Sequence, residues 1–487
     1  MKNNTLQVSE SSFFCSSQEL NNKFQTFEDF LKWFDGKKGK YFNVNQIPFE
    51  ELEQWYFTPN KYSLVHKSGR FFSIEGIRVN TNFGKLKEWE QPIINQPEIG
   101  ILGILTKVIS GIRYFLMQAK MEPGNINILQ LSPTVQATKS NFSRVHKGKL
   151  PPYLEYFVDA SKSKVLIDQL QTEQGGRFLR KRNRNIVIEV ADDVVVLDDF
   201  CWLTLGEIKQ LLKIDNFVNM DARSVISTIP FMDDIVMSVL FHKDLTELTE
   251  LTELQINDKT YKDINLDLII SACAPITNVS SKDQIISWYT SMKVKYELNT
   301  AQIPLSKISN WLISESTISN NNRFFSVIGV KVFADTREVS SWTQPLIKDE
   351  NIGLLGFVMK KIDGIYHFLV QAKVEPGNID IIELSPTVSC SNYKYIAEHP
   401  EFQPPFFNYF MSEDSDNVLF DTLQSEEGGR FYKMQNRNKI IIIDENESIQ
   451  IPENFCWMTL NQMMDFMRYS MFNIEARSLI SCIDFNN

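Results

Sequence analysis

The sequence predicts an α+β protein, a tandem duplication of one mixed-sheet domain flanked by helices. Three observations predict it. Residues 118–125, Gln-Ala-Lys-Met-Glu-Pro-Gly-Asn, return as 371–378, Gln-Ala-Lys-Val-Glu-Pro-Gly-Asn, an offset of about 253 residues. Apolar, β-branched runs in the middle of each half are broken by turn dipeptides, as hairpins are. Helical segments with capping chemistry close each half. The offset far exceeds the roughly 20–50 residues of a solenoid repeat, so the repeating unit is a whole domain.

The elements follow in order. Residues 1–23 read as a polar lead-in, 24–229 as the first copy, 230–280 as a connector and 281–487 as the second copy. Residues 27–34 and 285–294 pattern as short amphipathic helices. Residues 99–108 and 112–118 flank Ser110-Gly111 as a hairpin, repeated at 352–359 and 365–371 around Asp363-Gly364. Residues 126–131 and 185–190 add strands. Thr204 with Glu207, and Thr459 with Gln462, fit capping boxes; Leu205, Ile208, Leu211 and Leu212 form an apolar face behind the first. The connector carries a Leu-Thr-Glu microrepeat between Asp244 and Leu254, read as a helix or spacer without chemistry.

Composition narrows the function. The 487 residues suggest two to four domains, and 43% hydrophobic with 12% aromatic residues is enough for a core in each copy. A net charge of −10 argues against a general nucleic-acid binder. No run of about 20 apolar residues predicts a membrane span. Residues 1–19 lack the apolar core of a signal peptide, and six scattered cysteines fit reduced thiols, so the expected compartment is the cytoplasm. Cys201 and Cys456, each beside a Trp, read as core residues.

Four groups of polar residues are candidates for chemistry. Lys120 and Glu122, and their counterparts Lys373 and Glu375, precede a Pro-Gly turn; they form either a surface ion pair or part of a site. The basic run 177–184 contains Arg177, Arg182, Asn183 and Arg184, and the second copy keeps Arg430, Asn436 and Arg437 but loses the equivalents of Lys181 and Arg182. Such a cluster in an acidic protein suits a diphosphate, which arginine binds bidentately. Asn219 and Arg223, mirrored by Asn473 and Arg477, either begin a helix or hold a base or sugar. Finally, His146, Tyr153, Glu155 and Tyr156 offer proton-transfer groups of several intrinsic pKa values, more fully than the second copy does. Dinucleotide fingerprints, phosphate loops, HExxH and GxSxG are absent, so no cofactor or metal is expected.

Taken together, these blocks resemble the NDP-hexose 2,3-dehydratases of deoxysugar biosynthesis. The resemblance rests on residues 118–125, 131–141, 144–146, 152–157, 181–184, 200–205 and 218–224, and covers nearly the whole chain. It implies two Nudix-like domains, each with a nucleotide-sugar pocket, one active and one a remnant. It also implies a homodimer acting on dTDP-4-keto-6-deoxy-glucose, with a 3-ketoreductase acting downstream. The C4 ketone acidifies the C3 proton; a base removes it, donors stabilise the enolate, and the C2 hydroxyl leaves with help from an acid. On this reading His146, Tyr153, Glu155 and Tyr156 supply base and acid, while Lys120 and Glu122 shape the pocket or polarise the C4 oxygen. Arg177, Arg182, Arg184 and Arg223 hold the diphosphate, and Asn183 and Asn219 orient the nucleotide. Ser132, Thr134, Ser140, Asn141 and Arg144 complete the first pocket. Lys373, Glu375, Ser385, Thr387, Arg430, Asn436, Arg437, Asn473 and Arg477 form the second, expected to be degenerate. A nucleotide-sugar pyrophosphatase and a silent nucleotide-sugar-binding protein are the rival readings.

Overall fold

The computed structural model describes residues 12–138, 150–159, 161–232, 254–256, 259–261, 265–274, 277–320, 324–335, 339–412 and 417–486. Each copy is built on a seven-stranded mixed sheet. In the first, Gly100–Ile109 and Ile112–Met121 form the expected hairpin, and Arg182–Glu189 lies parallel to Gly100–Ile109. In the second, Gly353–Ile362 and Ile365–Lys373 form the hairpin, with Gln435–Ile443 parallel to Gly353–Ile362. Helices Phe27–Gly36 and Lys282–Lys295 appear as predicted. Both capping boxes form, and Leu205, Ile208, Leu211 and Leu212 are buried.

The polar lead-in is corrected in part. Phe13–Ser17 is a helix with Phe13, Phe14 and Cys15 buried. Ser16 Oγ accepts from Leu205 N at 3.0 Å, and Glu19 O accepts from Thr204 Oγ1 at 2.5 Å. Within the expected connector, helix Leu266–Cys273 does the same: Ser271 Oγ accepts from Leu460 N at 3.0 Å and Ala274 O from Thr459 Oγ1 at 2.7 Å. The repeated unit therefore begins with a short apolar helix that docks on the capped helix of its own copy. The microrepeat before Leu254 lies outside the described residues.

The copies are interlaced. Strand Phe42–Ile47 of the first copy pairs with Ser326–Ala334 of the second, and Leu298–Ile303 of the second pairs with Ser73–Thr81 of the first. The Pro-Gly-Asn turn of each copy meets the Gly-Gly-Arg-Phe loop of the other. Gly124 N donates to Gly428 O and Gly377 N to Gly175 O, both at 2.7 Å. A Cβ on Gly124 would lie 1.6 Å from Phe431 O, and one on Gly377 1.7 Å from Phe178 O. Both motifs recur in both copies because they are two halves of one contact. Arg223 and Arg477, 1% and 0% exposed, lock the same interface. Arg223 donates to Val218 O, Ser425 O and Ser478 Oγ; Arg477 donates to Phe472 O, Thr172 O and Ser224 Oγ. One apolar cluster runs through both copies, from Phe13 to Phe485.

Candidate functional site

Lys120 is the penultimate residue of strand Ile112–Met121, and Glu122 lies two residues on, where Pro123-Gly124 stops the ladder. They are a buried pair rather than a surface one: Lys120 Nζ lies 3.2 Å from Glu122 Oε1, with side chains 10% and 5% exposed. Lys373 and Glu375 repeat the pair at 2.9 Å, with 19% and 10% exposed. Against each pair stands the first turn of a short helix. Asn219 caps Met220–Ile226, which carries Asp221; Asn473 caps Ile474–Ser481, which carries Glu475. The double-glycine loop of the other copy forms a further wall. A Cβ on Gly428 would lie 2.9 Å from Glu122 Cβ, and one on Gly175 3.1 Å from Glu375 Cβ. Each chamber is thus assembled from both copies.

The carboxyl groups gathered there hold their protons unusually well. In the first chamber, burial pushes Asp221 well above the carboxylate range, and the charges of Glu427 and Glu122 push it further. Glu427, which comes from the second copy, rises to about 7 through burial, offset in part by Arg430, with Glu173 and Glu122 adding to the rise. In the second chamber, burial and then Glu375 raise Glu475 to about 8. Glu383 also reaches about 8, again through burial and then Glu375. Burial alone would lower Lys373, but Glu375 and Glu475 hold its ammonium above the ordinary lysine value. Carboxyls that hold their protons beside a buried lysine are the equipment of acid–base chemistry.

The remaining predicted residues divide. Ser132 Oγ and Asn219 Nδ2 reach Gln136 Oε1 at 3.2 and 3.5 Å, so they join the first chamber. Ser385 and Asn473 hold the matching positions in the second copy. Arg177 stacks on Phe325 of the second copy at 4.0 Å and feels the charges of Asp349, Glu375, Glu426 and Glu475. Arg182 acts on Glu383. Two arginines of the first copy's basic run therefore act on the second copy's chamber. Arg430 does the converse, stacking on Phe72 at 4.3 Å and acting on Glu427 and Glu173.

Other expectations are corrected. Arg223 and Arg477 are engaged by carbonyls and hydroxyls of the interface, not turned to a diphosphate. Arg184 forks onto Asp168 with two contacts of 2.7 Å, and Arg437 onto Asp421 at 2.8 and 2.5 Å. Asn183 accepts from Gly100 N at 3.1 Å and donates to Glu173, as Asn436 does to Glu426, so both brace buried carboxyls. Thr134 and Thr387 bridge backbone: each accepts from a strand N–H at 2.9 Å and donates to a carbonyl of the hairpin partner. Tyr153 donates to Val195 O at 2.8 Å and accepts from Leu197 N at 2.9 Å, packed edge-on against Phe200. Its hydroxyl secures a loop, and burial raises its pKa further. Glu155 is exposed on the short helix Glu155–Val158, and Tyr156 is half-buried against the same aromatic cluster. Ser140, Asn141, Arg144 and His146 lie outside the described residues.

Sequence reasoning missed several chamber residues. Gln136 sits in the middle of the first chamber, accepting from Lys120 Nζ at 2.6 Å and donating to Glu122 Oε1 at 3.0 Å. Asp221 and Glu475 lay inside recognised blocks, and an acid kept as an acid in both copies was their signal. Gln130 and Glu383, or Gln174 and Glu427, change type between copies, so comparing the copies for identity passes over them. Lys37 and Lys40 also border Lys120, in a crevice shared with Gln118 and Asp199. They are paired with Asp198 and Asp199.

A duplicated α+β chain with two interlaced lysine–carboxyl chambers defines a protein equipped for acid–base work on a polar small molecule. A family model for the NDP-hexose 2,3-dehydratases matches residues 27–229 and 282–483, and the chain belongs to that family. It is 42% identical over 458 residues to a dTDP-4-dehydro-6-deoxy-alpha-D-glucopyranose 2,3-dehydratase of Saccharopolyspora spinosa, covering 93% of this chain and 90% of the relative. It is 39% identical over 465 residues to one of Amycolatopsis orientalis (94% and 90% covered) and 38% over 460 residues to one of Streptomyces violaceoruber (93% and 96%).

Proposed function

We propose that this chain removes water from a dTDP-4-keto-6-deoxyhexose, taking the C3 proton and the C2 hydroxyl. The buried lysine–carboxyl chambers carry this reading: they set a lysine beside several carboxyls, some of which burial helps to keep protonated, the groups an enolate-forming elimination needs. The relatives' names supply the substrate class. Loss of water gives an enol that relaxes to a 3,4-diketo-2,6-dideoxy sugar nucleotide, a substrate suited to a 3-ketoreductase. Each copy is read as a Nudix-like domain, a parallel–antiparallel sheet with helices on its flanks, and the working assembly as a cytoplasmic homodimer. Among the described residues no helix is long and apolar enough to cross a membrane. The test is incubation of the purified chain with dTDP-4-keto-6-deoxy-glucose, coupled to a 3-ketoreductase and followed by mass spectrometry. A product lighter by one water is expected; intact substrate under conditions where it binds would refute the proposal.

A further inference from the structure

The two chambers share a frame but differ in what fills it. In the first, Gln136 occupies the centre and bonds to Lys120, Glu122 and Ser132. Its strand position pairs with Leu102; in the second copy the residue paired with Leu355 is Ser389. Lys373 still reaches that residue, with Nζ 3.0 Å from Ser389 Oγ. Serine is about three heavy atoms shorter than glutamine, which frees space on the order of one or two waters or sugar hydroxyls. Ser132 and Asn219 meet the amide in the first copy, and their counterparts Ser385 and Asn473 lose that partner in the second. Glu375 Oε2, Ser385 Oγ, Asn473 Nδ2 and Glu475 Oε2 are buried without a hydrogen-bond partner, on residues 8%, 0%, 1% and 3% exposed. Buried polar atoms are nearly always satisfied, so four orphans around one small side chain mark a place for a polar ligand.

The wall contributed by the first copy differs as well. Arg182 lies opposite Thr172 across two of its strands, and Thr172 Oγ1 donates to Glu383 of the second copy at 3.1 Å. In the mirror contact Gln435 lies opposite Ser425, whose hydroxyl donates to Gln130 at 2.9 Å. The second chamber thus has an arginine where the first has a glutamine. Arg177 adds a second guanidinium on the same side.

Resting on the dehydratase reading, the geometry points to the second copy's chamber as the reactive one. Ser389 leaves room there for one or two hydroxyls of the sugar, Lys373, Glu375 and Glu475 face its reacting carbons, and Arg177 and Arg182 of the first copy meet the diphosphate. This reverses the assignment suggested by the first copy's richer basic run, since Arg177 and Arg182 of that run act across the interface. In the step, Glu375 takes the C3 proton as the C3–H bond breaks, and the electron pair forms an enolate held by the Lys373 ammonium. The enolate collapses to a C2=C3 double bond as the C2–O bond breaks. Glu475 gives its proton to the departing oxygen, which leaves as water. The 3-hydroxyl proton of the enol then moves to C2, giving the 3,4-diketone. No electrons are exchanged with any other reagent.

Two variants of the full-length chain test this. Ser389→Gln copies the first chamber's filler into the second, and Arg182→Gln copies the mirror residue Gln435. With Ser389→Gln, turnover of dTDP-4-keto-6-deoxy-glucose should fall at least 100-fold while calorimetric binding of dTDP persists. The melting temperature should hold or rise, because the amide gives Ser385 and Asn473 the partner that Ser132 and Asn219 have in the first copy. Arg182→Gln should weaken dTDP binding about tenfold. Wild-type turnover by folded Ser389→Gln, or wild-type dTDP affinity in Arg182→Gln, overturns the proposal. If Ser389→Gln fails to fold, the Arg182→Gln titration decides. Wild-type protein that binds dTDP yet releases no water refutes the reaction, while the Arg182→Gln titration still judges the chamber.

Discussion

Gly377→Ala should separate the role of the interface from that of a single copy. Gly377 does not adopt a left-handed backbone, so alanine is disfavoured there by sterics alone. Its Cβ would sit 1.7 Å from Phe178 O, a backbone atom with no rotamer to yield. The turn must back away, and two hydrogen bonds stretch or break: Gly377 N to Gly175 O at 2.7 Å and Arg180 N to Gly377 O at 2.8 Å. At roughly 0.5–1.5 kcal/mol each, with about 1–3 kcal/mol more for displaced packing, the cost is about 2–6 kcal/mol. Gly124→Ala makes the mirror clash, 1.6 Å from Phe431 O, and should cost about the same. Thermal unfolding and steady-state kinetics on both variants make the comparison. Similar falls in melting temperature, with kcat/KM at least tenfold lower in Gly377→Ala than in Gly124→Ala, are expected if the second chamber does the chemistry. Wild-type stability in both variants would refute the reasoning, because the two turns would then not bear on the opposing loops.

Arg223→Ala and Arg477→Ala should each cost about 3–5 kcal/mol in thermal or urea unfolding, since each leaves buried carbonyls without a donor. The ligand-free fold should lose stability as pH rises from about 4.5 to 8. Glu475 and Glu383 have folded-state pKa values raised to about 8, so the folded state holds more protons than the unfolded one across that window. The loss should be a few kcal/mol, and Glu475→Gln should flatten the slope of melting temperature against pH. Turnover should also decline above about pH 8, as Glu475 loses the proton it donates. The copies expressed apart should be insoluble or unfolded, and should recover circular dichroism and turnover when co-expressed, because strands 42–47 and 298–303 each complete a sheet of the other copy.

The duplication, the hairpins and the capped helices were legible because their signals are local. Asp363-Gly364 sets a turn, and Thr204 with Glu207 sets a cap, whatever surrounds them. The apolar helix Phe13–Ser17 was hidden by its polar neighbours, and only its docking on Thr204 and Leu205 explains why Phe14 is buried. The lysine–glutamate pairs were found by their recurrence, but their burial was not. Burial depends on the Gly-Gly loop of the other copy, which lies about 50 residues from Glu122 in sequence when taken from the same copy and some 300 when taken from the correct one. The arginines show the limit most plainly. A charge run reads alike whether its members stack on Phe325, fork onto Asp168 or fasten two copies together, and only the chain path separates those fates.

That chain path also explains how two copies of one domain come to differ in function. In the interlaced pair, Arg177 and Arg182 of the first copy act on the other copy's chamber, whereas Lys120, Glu122 and Gln136 act on its own. A substitution at Arg182 therefore alters the second chamber, and one at Gln136 the first, although both lie in the same copy. Divergence of either copy changes both chambers at different positions, so neither copy can become inert scaffold on its own. The second copy supplies Lys373, Glu375, Ser389 and Glu475, and the first supplies Arg177 and Arg182. A change that emptied the first copy of its own chemistry would leave this set intact, provided that the arginine-bearing strands and the Gly175 loop kept their place. Retention of the first copy's Gly-Gly-Arg-Phe loop beside a Gln-filled chamber is what such a division of labour requires.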